Sequence, residues 1–150
     1  MREAIALSRA GMREGSGGPF GAVIVKDGEI IARGWNQVTS TCDPTAHAEV
    51  VAIREAARKL RTFSLAGCEI YTTCEPCPMC LAAVYWARLD RLYFANTRRD
   101  AAAAGFDDEA IYQQIPLSIS ERSIPTQPLL GEEAWAVFEE WQAKLDKVLY

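Results

Sequence analysis

The chain of 150 residues holds a single histidine, His47. Any imidazole chemistry therefore has one address. No apolar run reaches membrane-spanning length, so no transmembrane helix is expected. The opening stretch MREAIALSRAGMREG carries charges throughout and has no central apolar block. It is expected to be neither a secretory signal nor an anchor, which makes the cytoplasm the default compartment. Positive charge is not in excess: 16 Lys and Arg face 20 Asp and Glu, for a net charge of −4. A protein that tracks a phosphate backbone usually shows a basic stripe. The basic clusters here are Arg58-Lys59-Arg61 and Arg98-Arg99. The first falls at a predicted helix C-terminus, where cations offset the helix dipole. The charge balance thus argues against a nucleic-acid partner, although a local patch can sit within an acidic average. Internal repeats, low-complexity tracts and linkers are also missing, so residues 1–150 are read as one domain.

What is present fits a globular chain with a real core: 49% of residues are apolar and 24% charged. The five cysteines are an odd number, in a chain whose expected compartment is reducing. Three of them cluster in CEPCPMC, residues 74 to 80. That grouping reads as metal chemistry rather than as a disulfide framework. Cys42, Cys68 and Cys74 are read as structural thiols.

Residues 3 to about 13 read as a short helix, ended by GSGG at 15 to 18. FGAVIVKDGEIIARGWN gives two strand-like runs around Asp27-Gly28, a hairpin signal. In AHAEVVAIREAARKL, Val50, Ile53, Ala57 and Leu60 recur at helical spacing. CEIYTT and RLYFAN read as strands, and between them PCPMCLAAVYWAR reads as a helix opened by prolines. Residues 97 to 130 show little periodicity. GEEAWAVFEEWQAKLDKVL reads as a closing helix with Ala134, Phe138, Trp141, Leu145 and Val148 on one face. The alternation predicts an α/β sandwich, one sheet with helices on both faces.

A helix starting near Cys77 places Cys77 and Cys80 at i and i+3, on one face of its first turn. Free N–H groups and the positive dipole end stabilise thiolates there, and the thiolate is the form that binds zinc. A closed structural site wants four protein ligands, and Cys74 is a candidate third. His47 also opens a helix. If the two helices start at the same end of the sheet, His47 stands beside Cys77 and Cys80. Three protein ligands leave a fourth position for water, the catalytic pattern. Glu49 lies two residues on from His47, too far round a regular helix to share its face. At a helix start it can flank the metal and exchange protons with the water there. H-A-E with P-C-x-x-C is the known zinc-deaminase signature, H-x-E…P-C-x-x-C, and is read by recognition. It points to hydrolytic deamination. A non-catalytic domain in which zinc only joins two helices is the rival from another class, and it requires a fourth ligand such as Cys74.

With those motifs in view, the sequence resembles the cytidine deaminase-like superfamily, in its branch of guanine and tRNA adenosine deaminases. The resemblance spans essentially the whole chain, through GPFGAVIVKDG, NQVTSTCDPTAHAEV, TTCEPCPMCLAAVYWAR and AAAAGFDDEAIY. The GFDD segment and the C-terminal tyrosine mark the guanine branch. The resemblance implies a three-layer α/β/α sandwich around a mixed five-stranded sheet. It implies one Zn2+ per subunit held by His47, Cys77 and Cys80, with Glu49 as proton shuttle. It implies that Asn36 hydrogen-bonds the purine, that Asp108 is a second acid or base near the leaving amine, and that Phe20 packs against the base. Tyr150 would close the pocket, in the neighbour's site if the C-terminal segment is exchanged within a homodimer. The expected substrate is guanine, a small purine base, with neither nucleic acid nor membrane as partner. Guanosine or a related aminated ring is the near alternative, and tRNA adenosine the further one. Read from the residues alone, Asn offers both a donor and an acceptor. Asp107 fits a cap for a helix beginning near Glu109, and Phe20 fits the core as well as a stacking role.

Overall fold

The computed structural model describes residues 1–106 and 108–149. The chain divides into two compact units, Met1–Asp108 and Glu109–Tyr150. The first contains α1 (Arg2–Arg13), β1 (Gly21–Lys26), β2 (Glu29–Trp35), α2 (Val38–Thr41), α3 (Ala48–Leu60), β3 (Cys68–Cys74), α4 (Pro78–Trp86), β4 (Arg91–Asn96) and α5 (Arg98–Ala103). The second contains α6 (Glu109–Gln114), a 3-10 turn (Ile119–Glu121) and α7 (Gly131–Ala143).

The strands form one mixed sheet in the order β2-β1-β3-β4. β1 is antiparallel to both β2 and β3, and β3 runs parallel to β4. Asp27 and Gly28 turn the hairpin with positive φ of 51° and 80°. That geometry matches the right-handed twist of the flanking strands. The sheet has four strands among the described residues, not the five that the resemblance implies. The strand-like runs read from the residues themselves also number four. Residues 97–130, a stretch with little periodicity in the sequence, carry Pro116, Pro125 and Pro128. Proline lacks the ladder's N–H donor, and this stretch forms short helices and irregular backbone instead.

Successive side chains of a strand point to opposite faces. A Cβ on Gly21 would run into the backbone of α1 at Ala4 and Ser8. A Cβ on Gly34, which pairs with Ala22, would run into α3. Gly21 and Ala22 are neighbours, so α1 and α3 cover opposite faces. Ala22, Val23 and Ile24 are all buried accordingly. The core between the sheet and α3 joins Ala22, Ile24 and Ile70 to Ala48, Ala52 and Ala56, with Ile53 and Leu60 packed at its margin. The buried stripe of α3 thus centres on alanines spaced by four, rather than on the larger apolar residues that the periodicity favours. Small residues let the helix approach the sheet at Gly34.

In the second unit, α7 is shorter than the sequence predicts. The chain becomes extended at Lys144 (φ −65°, ψ 118°), so Leu145 and Val148 lie beyond the helix. Phe138, Trp141, Leu145 and Val148 are exposed in the chain, and an apolar stripe without packing contributes little to holding a last turn. Within α7, Trp135 meets Phe138 edge to face with ring centroids 5.8 Å apart.

The Gly34 contact sets how closely the start of α3 stands over the sheet. A Cβ there would lie 2.6 Å from Ala52 N and closer still to the Ala48 carbonyl oxygen. Gly34→Ala should therefore lower unfolding stability in urea by about 2 kcal/mol, as overpacking does. An unchanged midpoint would contradict this packing.

Candidate metal centre and active site

Two helix starts build the centre. Before α3, Asp43 Oδ1 accepts from Thr45 N (2.8 Å) and Thr45 Oγ1 (2.7 Å), closing a tight turn. Gln37 N donates to Ala46 O at 2.9 Å, tying that turn to the chain leaving β2. His47 then takes the N-cap of α3, with φ −69° and ψ 153°. Before α4, Glu75 N donates to Asn96 O at 2.8 Å. Cys77 takes the N-cap of α4, with Pro78 in the first turn. N-caps ordinarily belong to Ser, Thr, Asp or Asn, whose side chains bond the free N–H groups. His47 and Cys77 make no such cap. Their side chains meet each other instead: Cys77 Sγ and Cys80 Sγ lie 3.6 and 3.5 Å from His47 Nδ1.

The three donor atoms lie within 4.8 Å of one another. A tetrahedral zinc with Zn–S of about 2.3 Å and Zn–N of about 2.0 Å separates an S and an N ligand by ~3.5 Å. The observed separations match that edge, and two thiols with one imidazole suit zinc. The donor set therefore fits the metal. Cys74 does not join it. Its Sγ donates to Thr97 O at 3.5 Å, and burial pushes its thiol up to about 11. The four-ligand structural site is not assembled among the described residues.

The electrostatics of the centre are coupled. The Cys80 S–H and the His47 imidazole hold Cys77 down to about 4, as a thiolate. Cys80 is raised in turn, first by its bond to that thiolate and then by burial. His47 is raised, chiefly by its hydrogen bond to Cys77. Glu49 lies in the first turn of α3, only 7% exposed. Burial raises its carboxyl, and Cys80 Sγ donates to its Oε2 at 3.4 Å.

A cavity of about 420 Å³ opens beside the three donors. Phe20, Asn36, His47, Glu49, Cys77 and Asp108 all line it. Asn36 is 7% exposed, and its Oδ1 accepts from both Gly18 N and Val38 N at 3.2 Å. The backbone thus occupies its acceptor and leaves the amide N–H groups as the donors it can offer a ligand. A Cβ on Gly17 would overlap that Oδ1 and stand 2.7 Å from the Asn36 carbonyl oxygen, so glycine is needed for the loop to close on Asn36. Phe20 both packs on the core and lines the cavity. Tyr150 and Asp107 lie outside the described residues.

Sequence reasoning missed Glu75, Arg98 and Phe106, which also line the cavity. Phe106 meets Phe20 edge to face, with centroids 4.9 Å apart at 82°. Its signal was present in GFDD, where only the acids had a reading. Arg98 opens α5, whose start is marked by Thr97 and Asp100 in a capping box.

Three donors that fit zinc, set at paired helix starts beside a buried carboxylate in the first turn of α3, are the arrangement of a zinc-dependent hydrolytic deaminase. The family model for the cytidine and deoxycytidylate deaminase zinc-binding region matches residues 1–96, and the chain belongs to that family of zinc-dependent enzymes. It is 49% identical to the guanine deaminase of Bacillus subtilis (strain 168) over 150 residues, which is 100% of this chain and 96% of that protein. The crystal structure of the guanine deaminase from Bacillus subtilis superposes with a TM-score of 0.97 at 50% identity, covering 99% of this chain and 95% of that one. The tRNA-specific adenosine deaminase of Aquifex aeolicus (strain VF5) is 52% identical over 77 residues, 51% of each chain.

In the metal-free protein, ultraviolet thiolate absorbance should be present at neutral pH and vanish as pH falls through about 4. The sign follows from a depressed acid, which is ionised above its folded-state value. Cys77→Ser should remove that component. Equal absorbance from the variant and the parent at neutral pH would contradict the assignment.

Proposed function

We propose that this chain hydrolyses guanine to xanthine and ammonia. The observation that carries the reading is the meeting, in one cavity, of two of the three metal donors (His47 and Cys77), a buried carboxylate, a donor-only amide and an aromatic corner. Likeness to a guanine deaminase along essentially the whole chain supports the choice of base. His47, Cys77 and Cys80 hold zinc, which when bound polarises water, lowers its pKa to roughly 7 and offsets charge developing on oxygen.

The chain's own residues supply the rest. The oxygen of water bonds to C2 of guanine, and the bond from C2 to the exocyclic nitrogen breaks. Glu49 takes a proton from the water and delivers it to a ring nitrogen beside C2. Its raised affinity for protons, set by burial, suits both halves of that transfer. The hydroxyl now on C2 gives up its proton as the C2 carbonyl forms, and Glu49 and Asp108 pass that proton to the amine, which leaves as ammonia. Asn36 donates to an acceptor on the purine edge, the carbonyl at C6 being the strongest. Phe20 packs against the ring face. We place Tyr150 over the pocket by resemblance alone, contributed by a partner subunit when the C-terminal segment is exchanged in a homodimer. Residues 1–150 then serve as a single zinc-dependent deaminase domain. The exposed apolar residues of α7 suit such a partner. The enzyme then works in the cytoplasm on a small purine base. No helix among the described residues is long and apolar enough to cross a membrane.

A tRNA substrate is the second reading, favoured by local identity to a tRNA-specific adenosine deaminase. The net charge of −4 weighs against it.

Ammonia release by zinc-loaded protein, with guanine, guanosine and an anticodon-arm RNA in parallel, separates these readings. Guanine alone should turn over. Glu49→Gln should keep its zinc and lose roughly 10²- to 10⁴-fold in kcat, the range for a general acid-base group. Near-normal turnover by that variant, or turnover of RNA alone, would overturn the proposal.

A further inference from the structure

Arg98 and Ala101 of α5 line the cavity, and this helix of six residues buries none of them. Such a segment needs ties to the body to hold a fixed position. One of these ties is a charged side chain. Glu75, half-buried between Cys74 and the Pro76-Cys77 turn, accepts from Arg98 N through Oε2 at 3.0 Å. Its own backbone N–H donates to Asn96 O at 2.8 Å, on the far side of the same junction. At the other end of α5, Phe106 N donates to Ala101 O at 2.9 Å, fixing Phe106 to the helix. The Phe106 ring then stands edge to face on Phe20. One path therefore runs from the turn that leads into Cys77, through Glu75, to the first N–H of α5 and on to the aromatic corner of the cavity.

We propose that Glu75 is a positioning residue, whose carboxylate couples the Cys74–Cys77 turn to α5 and so holds Phe106 in place against the substrate. The proposal rests on the purine-deaminase reading for its kinetic consequence but not for its structural one. A carboxylate at a helix start is favoured by both the free N–H and the dipole, and a hydrogen bond to a charged acceptor is among the stronger kinds. The function that matters is acceptance of the Arg98 N–H. Glu75→Gln preserves that acceptor and Glu75→Ala removes it. Because the metal donors sit on α3 and α4, losing the tie should loosen the substrate wall and leave the metal in place.

The test compares zinc-loaded parent protein with E75A, E75Q and E75M, the last keeping the length without the acceptor in case E75A does not fold. Amide exchange at Arg98 should quicken at least roughly tenfold in E75A and E75M, as expected when a half-buried tie is lost. It should stay within about threefold of the parent in E75Q, where the acceptor survives. With guanine, KM should rise roughly tenfold in E75A and E75M with kcat within about threefold, the pattern of lost positioning rather than lost chemistry. E75Q should recover most of that KM, and all variants should hold one zinc per chain. If E75Q behaves like E75A, acceptance of the Arg98 N–H does not account for the coupling and the proposal fails. It fails too if Arg98 exchange is unchanged in every variant, or if zinc is lost with the carboxylate. If the parent itself is inactive on guanine, the functional reading falls while the exchange data still decide the role of Glu75.

Discussion

The contact on which this protein depends is the approach of two helix starts. His47 opens α3, Cys77 opens α4, and their side chains converge within 3.6 Å instead of capping their own helices. Each forgoes a cap that would ordinarily contribute about 1 kcal/mol. Two positive dipole ends face the same point, which favours thiolates over thiols. A cation bound there would compensate the thiolate charge and join α3 to α4. Glu49 is brought into the same buried space by its place in the first turn of α3, so a carboxylate with raised proton affinity stands beside the metal donors as a consequence of the same junction.

The sheet makes that junction possible through small residues. Gly34 and the alanine stripe of α3 let helix and sheet close to backbone contact, which fixes where His47 begins. The parallel pairing of β3 with β4 brings Asn96 beside Glu75, which fixes the approach to Cys77. On the other wall, Gly17 lets the loop before β1 close over Asn36. The Asn36 oxygen is consumed by that closure. The amide is thereby fixed as a donor, which suits a carbonyl on a purine edge.

Much of this was legible in the residues, because the chemistry sits on strong local signals. Asp27-Gly28 announced the hairpin through its demand for positive φ. Proline at the head of PCPMC announced a helix start, and with it the shared face of Cys77 and Cys80. A lone histidine at another helix start completed the centre once the alternation of elements was taken seriously. Other features were hidden for physical reasons. The donor-only state of Asn36 depends on loop backbone from Gly18, eighteen residues away. The α3 stripe was misjudged because periodicity weights large side chains, whereas close packing here uses alanine. Between residues 97 and 130 the helices are short and held by individual hydrogen bonds, so no periodicity could reveal them. The fifth strand entered from resemblance rather than from any residue pattern, and four strands are what the described chain forms.

The central claim is that three protein ligands hold the metal and leave one position open. X-ray absorption at the zinc edge of the loaded protein tests it most directly. The account predicts two sulfur neighbours at about 2.3 Å and two lighter ones at about 2.0 Å, His47 nitrogen and a solvent oxygen. A third sulfur would mean that Cys74 closes the site, and the centre would then be a structural clasp rather than a place for chemistry.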